Sequence, residues 1–366
     1  MISLYKFRTI SVLSLAACML FTSCEENDSI EEPSYNVPAT YNFENVNYSG
    51  QQTRIDMLSE LDAYVKTGNT GAQLSAQKLK DMYANVNNQF STTALNTASK
   101  QLKDKTIETA RTQFEGYFDA VALASTSAGA AATPGNAGLL TSADNKKYLV
   151  NANGLELAQV IQKGLMGAVF YNQIVDVYLS EDKIGAAIDN TTVTPGEGTK
   201  MEHHWDEAFG YFGAPKDFPT NKDNLKFWAN YSNQLDAALG SNSKLMDAFL
   251  KGRAAISAKD MEGKNAAVNT IRAEFERLVA ASAIHELNAA KANFADQAKK
   301  SHYLSEAIGF AMSLQYKKGR VLTAEQQTQL MNKLGTNLYN TTVADIDAAI
   351  NIISTAYGFD AIKGNL

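Results

Sequence analysis

The stretch LELAQVIQKGLMGAVFYNQIVDVYL, residues 155–179, carries apolar side chains on nearly every side of a helix. A helix that is apolar all round is typical of the centre of a fold. The segments around it repeat apolar residues at three- and four-residue steps, and strand signals are nearly absent. The sequence therefore predicts an all-α fold, a helical bundle, with residues 155–179 at its centre.

Segments with the same helical period cover most of the chain after residue 51. We expect helices at residues 92–123, 225–239, 244–255, 258–294, 301–317 and 342–356, the fourth of them with a break near Ser282. Residues 180–200 form a loop rich in glycine and proline. The folded domain is predicted at residues 51–366, as one bundle or as two fused four-helix bundles split near residues 190–200.

The N-terminus has the features of a bacterial lipoprotein signal. Lys6 and Arg8 precede an apolar run at residues 10–21, which is too short to span a membrane. Cys24 follows, just before an acidic run, and resembles the lipidated first residue of a mature lipoprotein. Cys18 is the rival position. We prefer cleavage after residue 23, which leaves the lipid on Cys24 as the membrane anchor.

The N-terminal part of the chain is predicted to consist of two segments. Residues 1–23 are predicted to be the signal peptide. Residues 24–50 are polar, contain Pro33 and Pro38 and show no apolar period, so we expect a flexible tether. The predicted location is the cell envelope, with the protein anchored to the outer membrane on its periplasmic or its external side.

The composition excludes several kinds of site. The chain has 366 residues, a net charge of −6 and 2 cysteines. Both cysteines lie in the N-terminal segment, so the predicted domain has no disulfide and no cysteine-ligated zinc or iron–sulfur site. No basic stripe is present, which argues against a nucleic-acid partner.

The stretch MEHHWDEAFGYFG, residues 201–213, combines ligand-type side chains with large aromatics. His204 and Glu207 are three residues apart, so on a helix they share one face. An imidazole and a carboxylate suit iron, zinc, manganese or copper, with His203 as a further ligand. The alternative is structural: acidic residues at a helix N-terminus face the positive end of its dipole, and Trp205 lies in the core.

Two further places carry candidate ligands. His302 and Glu306 are four residues apart on a predicted helix, so they either complete a metal site or form an ordinary polar pair. Gln173 lies in the most apolar helix, where a buried amide must be hydrogen-bonded. It either contacts a ligand or joins two helices.

Three segments together resemble a family of Bacteroidota lipoproteins, domain of unknown function 4856: HHWDEAFGYFG, KGLMGAVFYNQI and HYLSEAIGFAMSLQY. That family is in turn similar to imelysin-like envelope proteins, which are all-helical, carry a peptidase label and a Gly-x-His-x-x-Glu motif, and are often iron-regulated. The resemblance implies a double helical bundle, a role near iron or haem uptake, and His204 and Glu207 as metal ligands. Glu202 stands where the motif has its glycine.

These observations give three hypotheses. The first is a lipid-anchored envelope protein that binds a metal ion, iron or zinc, or a metal complex, and assists uptake with a TonB-dependent outer-membrane transporter. Its ligands would be His204 and Glu207, completed by His203, His302 or Glu306. The second is a non-metal surface lipoprotein that binds a glycan or peptide on an aromatic platform at Trp205. The third, ranked last, is a metallopeptidase with Glu207 as the base. No catalytic residue can be named, and whether the protein is an enzyme stays open.

Overall fold

The helical period of the sequence is realised in thirteen α-helices, in the part of the chain that the structure describes. The structure is a computed structural model, which describes Met1 and residues 34–366. The helices are α1 (Ser49–Lys66), α2 (Ala76–Ala84), α3 (Thr93–Thr97), α4 (Glu108–Ser125), α5 (Leu157–Leu165), α6 (Glu181–Ile184), α7 (Lys200–Phe212), α8 (Trp228–Leu239), α9 (Ser241–Ala258), α10 (Met261–Ala292), α11 (Gln297–Ser313), α12 (Ala324–Leu334) and α13 (Val343–Tyr357). The all-α prediction is confirmed.

Helix α5 and its continuation form the centre of the bundle. Every residue of α5 is buried, and so is every residue of the following turns at Met166–Tyr171. The turns at Met166–Tyr171 and Gln173–Tyr178 are of the wider π type. The predicted central position of this segment is confirmed, but its second half is π-helical, a geometry that often marks functional places in proteins.

Helix α5 and its π-helical continuation pack closely against α11, because each of the two segments presents a glycine to the other. A Cβ at Gly167 would collide with the Ser313 side chain. A Cβ at Gly309 would lie 2.6 Å from Cβ of Lys163, so only glycine allows this approach. The consequence is that Lys163, a charged residue of the apolar segment, is held against α11.

Two predicted helices differ from those observed. Residues 92–123 are not one helix, because the amide of Asn85 binds the carbonyl groups of Leu95, Ala98 and Lys100 and so holds the chain between α3 and α4 in a non-helical path. Helix α10 has no break near Ser282, whose hydroxyl donates to the carbonyl of Leu278 one turn earlier. A side chain satisfied within its own helix leaves no reason for a break.

One small sheet interrupts the helices. Strands β1 (Gly138–Thr141) and β2 (Lys147–Val150) pair antiparallel, and Leu149 joins the main core. Asn145 in the connecting turn adopts a positive φ of 62°. Four-residue strands are too short to show a clear alternating pattern in the sequence, which is why the hairpin was not predicted.

The packed part of the chain begins before residue 51. The compact unit spans Tyr35–Leu366, and it is not divided near residues 190–200. Tyr41 is fully buried and stacks on Phe209 of α7 with ring centroids 3.7 Å apart. The C-terminal part of the predicted tether is therefore packed against helices, because its aromatic side chains bury apolar surface there.

The predicted signal peptide, the lipidation site Cys24 and the start of the predicted tether lie outside the described residues. Within the described residues, no helix combines the length and the apolar character that crossing a membrane requires.

Candidate functional site

Helix α7 begins with a reciprocal cap that explains the residue at position 202. The hydroxyl of Thr199 accepts a hydrogen bond from the backbone N–H of Glu202, and the Glu202 carboxylate accepts one from the backbone N–H of Thr199, at 2.8 Å. Such a capping box satisfies two N–H groups at the start of a helix. Glu202, at the position of the glycine in the imelysin-like motif, thus has a structural role.

Glu202 also belongs to a buried ion cluster with Asp206 and Arg253. The Arg253 guanidinium lies 2.7 Å from Glu202 and 2.9 Å from Asp206. Tyr41 donates to the same oxygen of Asp206, at 2.7 Å. Burial raises the pKa of Asp206 to about 7, more than the charge of Arg253 lowers it. This cluster ties the N-terminal segment, α7 and α9 together.

The three ligand candidates on α7 are only partly assembled. Nδ1 of His204 donates to the carbonyl oxygen of Lys183 at 2.6 Å, which orients the ring. Burial lowers the pKa of His204. Glu207 accepts hydrogen bonds from Gln51 at 2.8 Å and from Tyr178 at 3.1 Å, and its other oxygen lies 4.0 Å from Nε2 of His203.

The aromatic residues of this stretch belong to the core. Trp205 is fully buried, and its indole N–H donates to the carbonyl oxygen of Phe249 at 3.0 Å. The ring is enclosed by protein and has no face to offer a ligand, so the predicted binding platform at Trp205 is corrected to a core contact. Gln173 likewise joins two segments, because its amide donates to the carbonyl oxygen of Lys105 at 3.0 Å.

His302 and Glu306 lie in a separate group of buried charges. Nδ1 of His302 lies 2.6 Å from Glu156, and Nε2 lies 3.9 Å from Glu306. Glu306 in turn lies 3.2 Å from the ammonium group of Lys163. Burial opposes a charged His302, but the hydrogen bond and the charge of Glu156 outweigh it, so the pKa of His302 is raised.

Glu286 completes this group from α10. Burial, and then the charge of Glu306, raise the pKa of Glu286 to about 9. Glu306 is held ionised by Lys163, which lowers its pKa against the effect of burial. The hydroxyl of Tyr231 donates to Glu286 at 3.2 Å. We call Glu156, Lys163, Glu286, His302 and Glu306 the buried charge network.

The network adjoins a cavity of about 300 Å³, which is lined by its member Lys163 and by Tyr231, the residue that donates to Glu286. We call this space the polar cavity. Its walls come from α1, α5, α8 and the segment before α8, and they include Asp62, Gln162, Lys163, Phe227, Asn230 and Tyr231.

Hydrogen bonds connect the cavity wall to the network in series. One oxygen of Asp62 accepts from Lys66 at 2.8 Å and from Gln162 at 2.6 Å. The carbonyl oxygen of the Gln162 side chain accepts from Lys163 at 2.5 Å. The other oxygen of Asp62 is buried and has no partner among the described residues. An unpaired buried acceptor is costly unless something else satisfies it.

Backbone strain lies at the same wall. Phe227 has φ 43° and ψ −105°, outside the regions favoured by residues with a side chain. Strained conformations of this kind concentrate at ligand-binding places. The strain, the unpaired carboxylate oxygen and the charge network make the polar cavity the candidate site.

The sequence predicts His302 and Glu306 as candidates but does not identify their partners. A signal was present, since Gln159, Gln162 and Lys163 are polar residues inside the most apolar segment of the chain. Such residues are rarely buried without a partner or a function.

The predicted metal ligands fall into two separate groups, one on α7 and one on α11. No hydrogen bond or ion pair links the α7 residues His203, His204 and Glu207 to His302 or Glu306 in the described chain. Over the same residues, no three side chains of the histidine, cysteine, aspartate and glutamate types form a group able to hold a metal ion.

Comparison with known families assigns the chain to a group. It belongs to the family described as Domain of unknown function (DUF4856), which matches residues 38–360. No curated protein matches the chain, and no solved structure does.

Proposed function

We propose that the chain is a lipid-anchored envelope protein that binds a small polar ligand of the glycan class in the polar cavity. The observation that carries the proposal is the unpaired oxygen of Asp62 at the wall of this cavity. A ligand hydroxyl that reached this oxygen would supply its missing partner. The amide of Asn230 makes no protein hydrogen bond among the described residues and is available to the same ligand.

The chemistry of the wall suits a sugar, and the lining also includes the cations Lys163 and Lys226, which can donate to hydroxyl groups. Sugars present hydroxyl groups at their edges and C–H groups on their faces, so they need amides and carboxylates beside apolar or aromatic surface. The cavity supplies Asp62, Gln162 and Asn230 together with Phe227 and Tyr231. Its volume lies at the lower end of the range for small-molecule pockets, about 300–1,000 Å³, which suits one or a few sugar units.

The proposed location follows from the N-terminal sequence and the resemblance to Bacteroidota lipoproteins. A lipid on Cys24 would hold the domain at the outer membrane. There it would serve an outer-membrane transporter of the TonB-dependent kind by presenting the captured ligand.

Binding of the purified full chain to an array of neutral mono- and oligosaccharides tests this function. We expect at least one glycan to bind, and Asn230→Ala to weaken that binding at least tenfold. Asp62→Asn should also weaken it, because the amide replaces an acceptor oxygen with a donor. The matched controls are Asn332→Ala on the exposed face of α12 and Asp56→Asn on α1, which should bind like the natural chain.

Absence of binding to every sugar of the array would refute the glycan proposal. Equal losses in Asn230→Ala and Asn332→Ala would refute the assignment to the polar cavity.

A metal ion or metal complex, as in iron or haem uptake, is the second candidate. It is favoured by one observation at α7: Nδ1 of His203 is buried and finds no partner among the residues that the structure describes, and the ring lies beside Glu207 and the oriented ring of His204. A histidine whose Nδ1–H binds a carbonyl oxygen has its Nε2 ready for a metal.

Metal analysis of the purified full chain after incubation with iron or zinc distinguishes the two candidates. The metal hypothesis expects about one ion per chain, lost in His204→Ala and retained in His285→Ala. A chain that takes up no ion excludes it and leaves the glycan proposal untouched.

A further inference from the structure

A second cavity, of about 550 Å³, lies between α10, the turn that follows α11, and the end of α13. It shares no lining residue with the polar cavity. Four cationic side chains line it: Arg272, Arg277, Lys317 and Lys318. We infer that this basic cavity binds a small soluble molecule that carries a phosphate or sulfate group.

The lining of this cavity is mainly positive, whereas the net charge of the chain is negative. The net charge is −6, yet the lining contains four cations and a single carboxylate, Glu276. Three of these cations are paired with carboxylates, two of which, Asp176 and Glu274, lie outside the lining, so the cavity itself keeps an excess of positive groups that favours an anion. A cavity wall of one sign also raises the local concentration of ligands of the other sign.

The one carboxylate is occupied by protein donors. Glu276 is buried and accepts from Lys317 at 2.7 Å, from the hydroxyl of Tyr357 at 2.8 Å and from the backbone N–H of Val321 at 2.5 Å. These bonds attach the turn at residues 317–321 to α10 and α13. Glu276 therefore holds the wall in place and pairs with Lys317. Among the described residues, Lys318 is then the one cation of the lining that has no carboxylate partner.

Both arginines keep donors free. Arg272 makes one ion pair, to Asp176 at 3.2 Å, and is partly exposed. Arg277 donates to the carbonyl oxygen of Tyr357 at 3.0 Å, its Nε lies 3.8 Å from Glu274, and its guanidinium lies 4.7 Å from the centre of the Phe359 ring. A guanidinium has several N–H donors in one plane, so each retains enough of them to bind two oxygens of a phosphate.

Lys318 is the cation best placed to respond to a ligand. Its backbone N–H donates to Asp176 at 2.6 Å, which fixes its position in the turn. Its side chain is exposed and makes no ion pair within the described residues. A free ammonium group on a positioned residue can bind a phosphate oxygen as a compact positive charge.

A calorimetric titration of the purified full chain with pyrophosphate tests the inference. We expect saturable binding that weakens as the ionic strength rises to about 0.15 M, because screening grows with salt. Lys318→Glu should weaken binding at least tenfold, and Arg272→Gln should weaken it severalfold. The control is Lys251→Glu, which reverses an exposed charge on α9 away from the cavity.

Lack of binding by the natural chain would overturn the inference. So would equal weakening by Lys318→Glu and Lys251→Glu, because that would show a response to net charge alone. These outcomes are independent of the glycan proposal, which concerns the polar cavity and uncharged ligands.

Discussion

Nδ1 of His302 lies 2.6 Å from Oε2 of Glu156, a residue 146 positions earlier in the chain. The Glu156 carboxylate is inaccessible to solvent, and its backbone N–H donates to the hydroxyl of Ser305, at 2.9 Å, one turn along α11 from His302. The pair therefore joins the start of α5 to α11 and sets the charge state of the network beside the polar cavity.

Replacing Glu156 with glutamine should reverse the direction of the His302 pKa shift. In the natural chain the carboxylate raises that pKa above the ordinary value of about 6.5. Without the charge of Glu156, burial, which is the largest influence and lowers the pKa, outweighs the remaining charge of Glu306, which raises it. NMR titration of the histidine rings measures the change. His285, whose pKa burial lowers, is the internal control and should titrate alike in both proteins. An unchanged His302 pKa would contradict the role given to Glu156.

Glu286 should make the protein less stable as the pH rises. Its pKa of about 9 in the folded chain is above the ordinary value of 4.5, so the folded state binds the proton more tightly. The contribution of protonated Glu286 to the free energy of unfolding is fully present below about pH 4.5 and is lost as the pH rises to about 9.

Glu286→Gln tests this directly, because glutamine resembles the protonated acid. Between pH 5 and pH 9, the free energy of chemical unfolding should fall less in the variant than in the natural chain, by about 1–3 kcal/mol. Equal losses in both proteins would argue that Glu286 is ionised across this range. Glu325→Gln, on the exposed start of α12, serves as the control.

The contact of Gly167 with Ser313 should not tolerate a methyl group. Gly167→Ala is expected to lower the free energy of unfolding by about 1–3 kcal/mol, the usual cost of overpacking a core. The control is Gly116→Ala on α4, where an added Cβ meets nothing within 4 Å. That change should stabilise the protein by about 0.5–1 kcal/mol, because alanine favours a helix. If both changes stabilise, α5 and α11 do not approach as closely as described.

Arg253 should be among the most sensitive positions of the domain. Arg253→Met leaves Glu202 and Asp206 buried without their cation, so we expect a loss of about 3–5 kcal/mol in chemical unfolding. The control is Lys291→Met, which removes an ion pair to Asp347 that is open to solvent. There the change should be within about 1 kcal/mol. Similar small effects at both positions would show that the cluster contributes little.

Much of the fold could be predicted from the sequence, because a helix produces a local pattern of apolar residues. The period of apolar residues predicted the all-α class, and the run at residues 155–179 predicted the central segment. The hairpin β1–β2 and the non-helical path between α3 and α4 were missed. The first is too short for a pattern, and the second depends on Asn85, whose amide binds carbonyl groups that the local sequence would place in a helix.

The sequence by itself determined the helical class, the central segment and the presence of unusual polar residues within it. Only the tertiary structure decided which residues meet. His204 and Glu207 share a helix, but their partners are Lys183, Gln51 and Tyr178. Glu156 and Lys163 reach His302 and Glu306 because glycines let α5 and α11 approach. Contacts between distant segments depend on packing between helices, and helical periodicity carries no information about which faces will pack together.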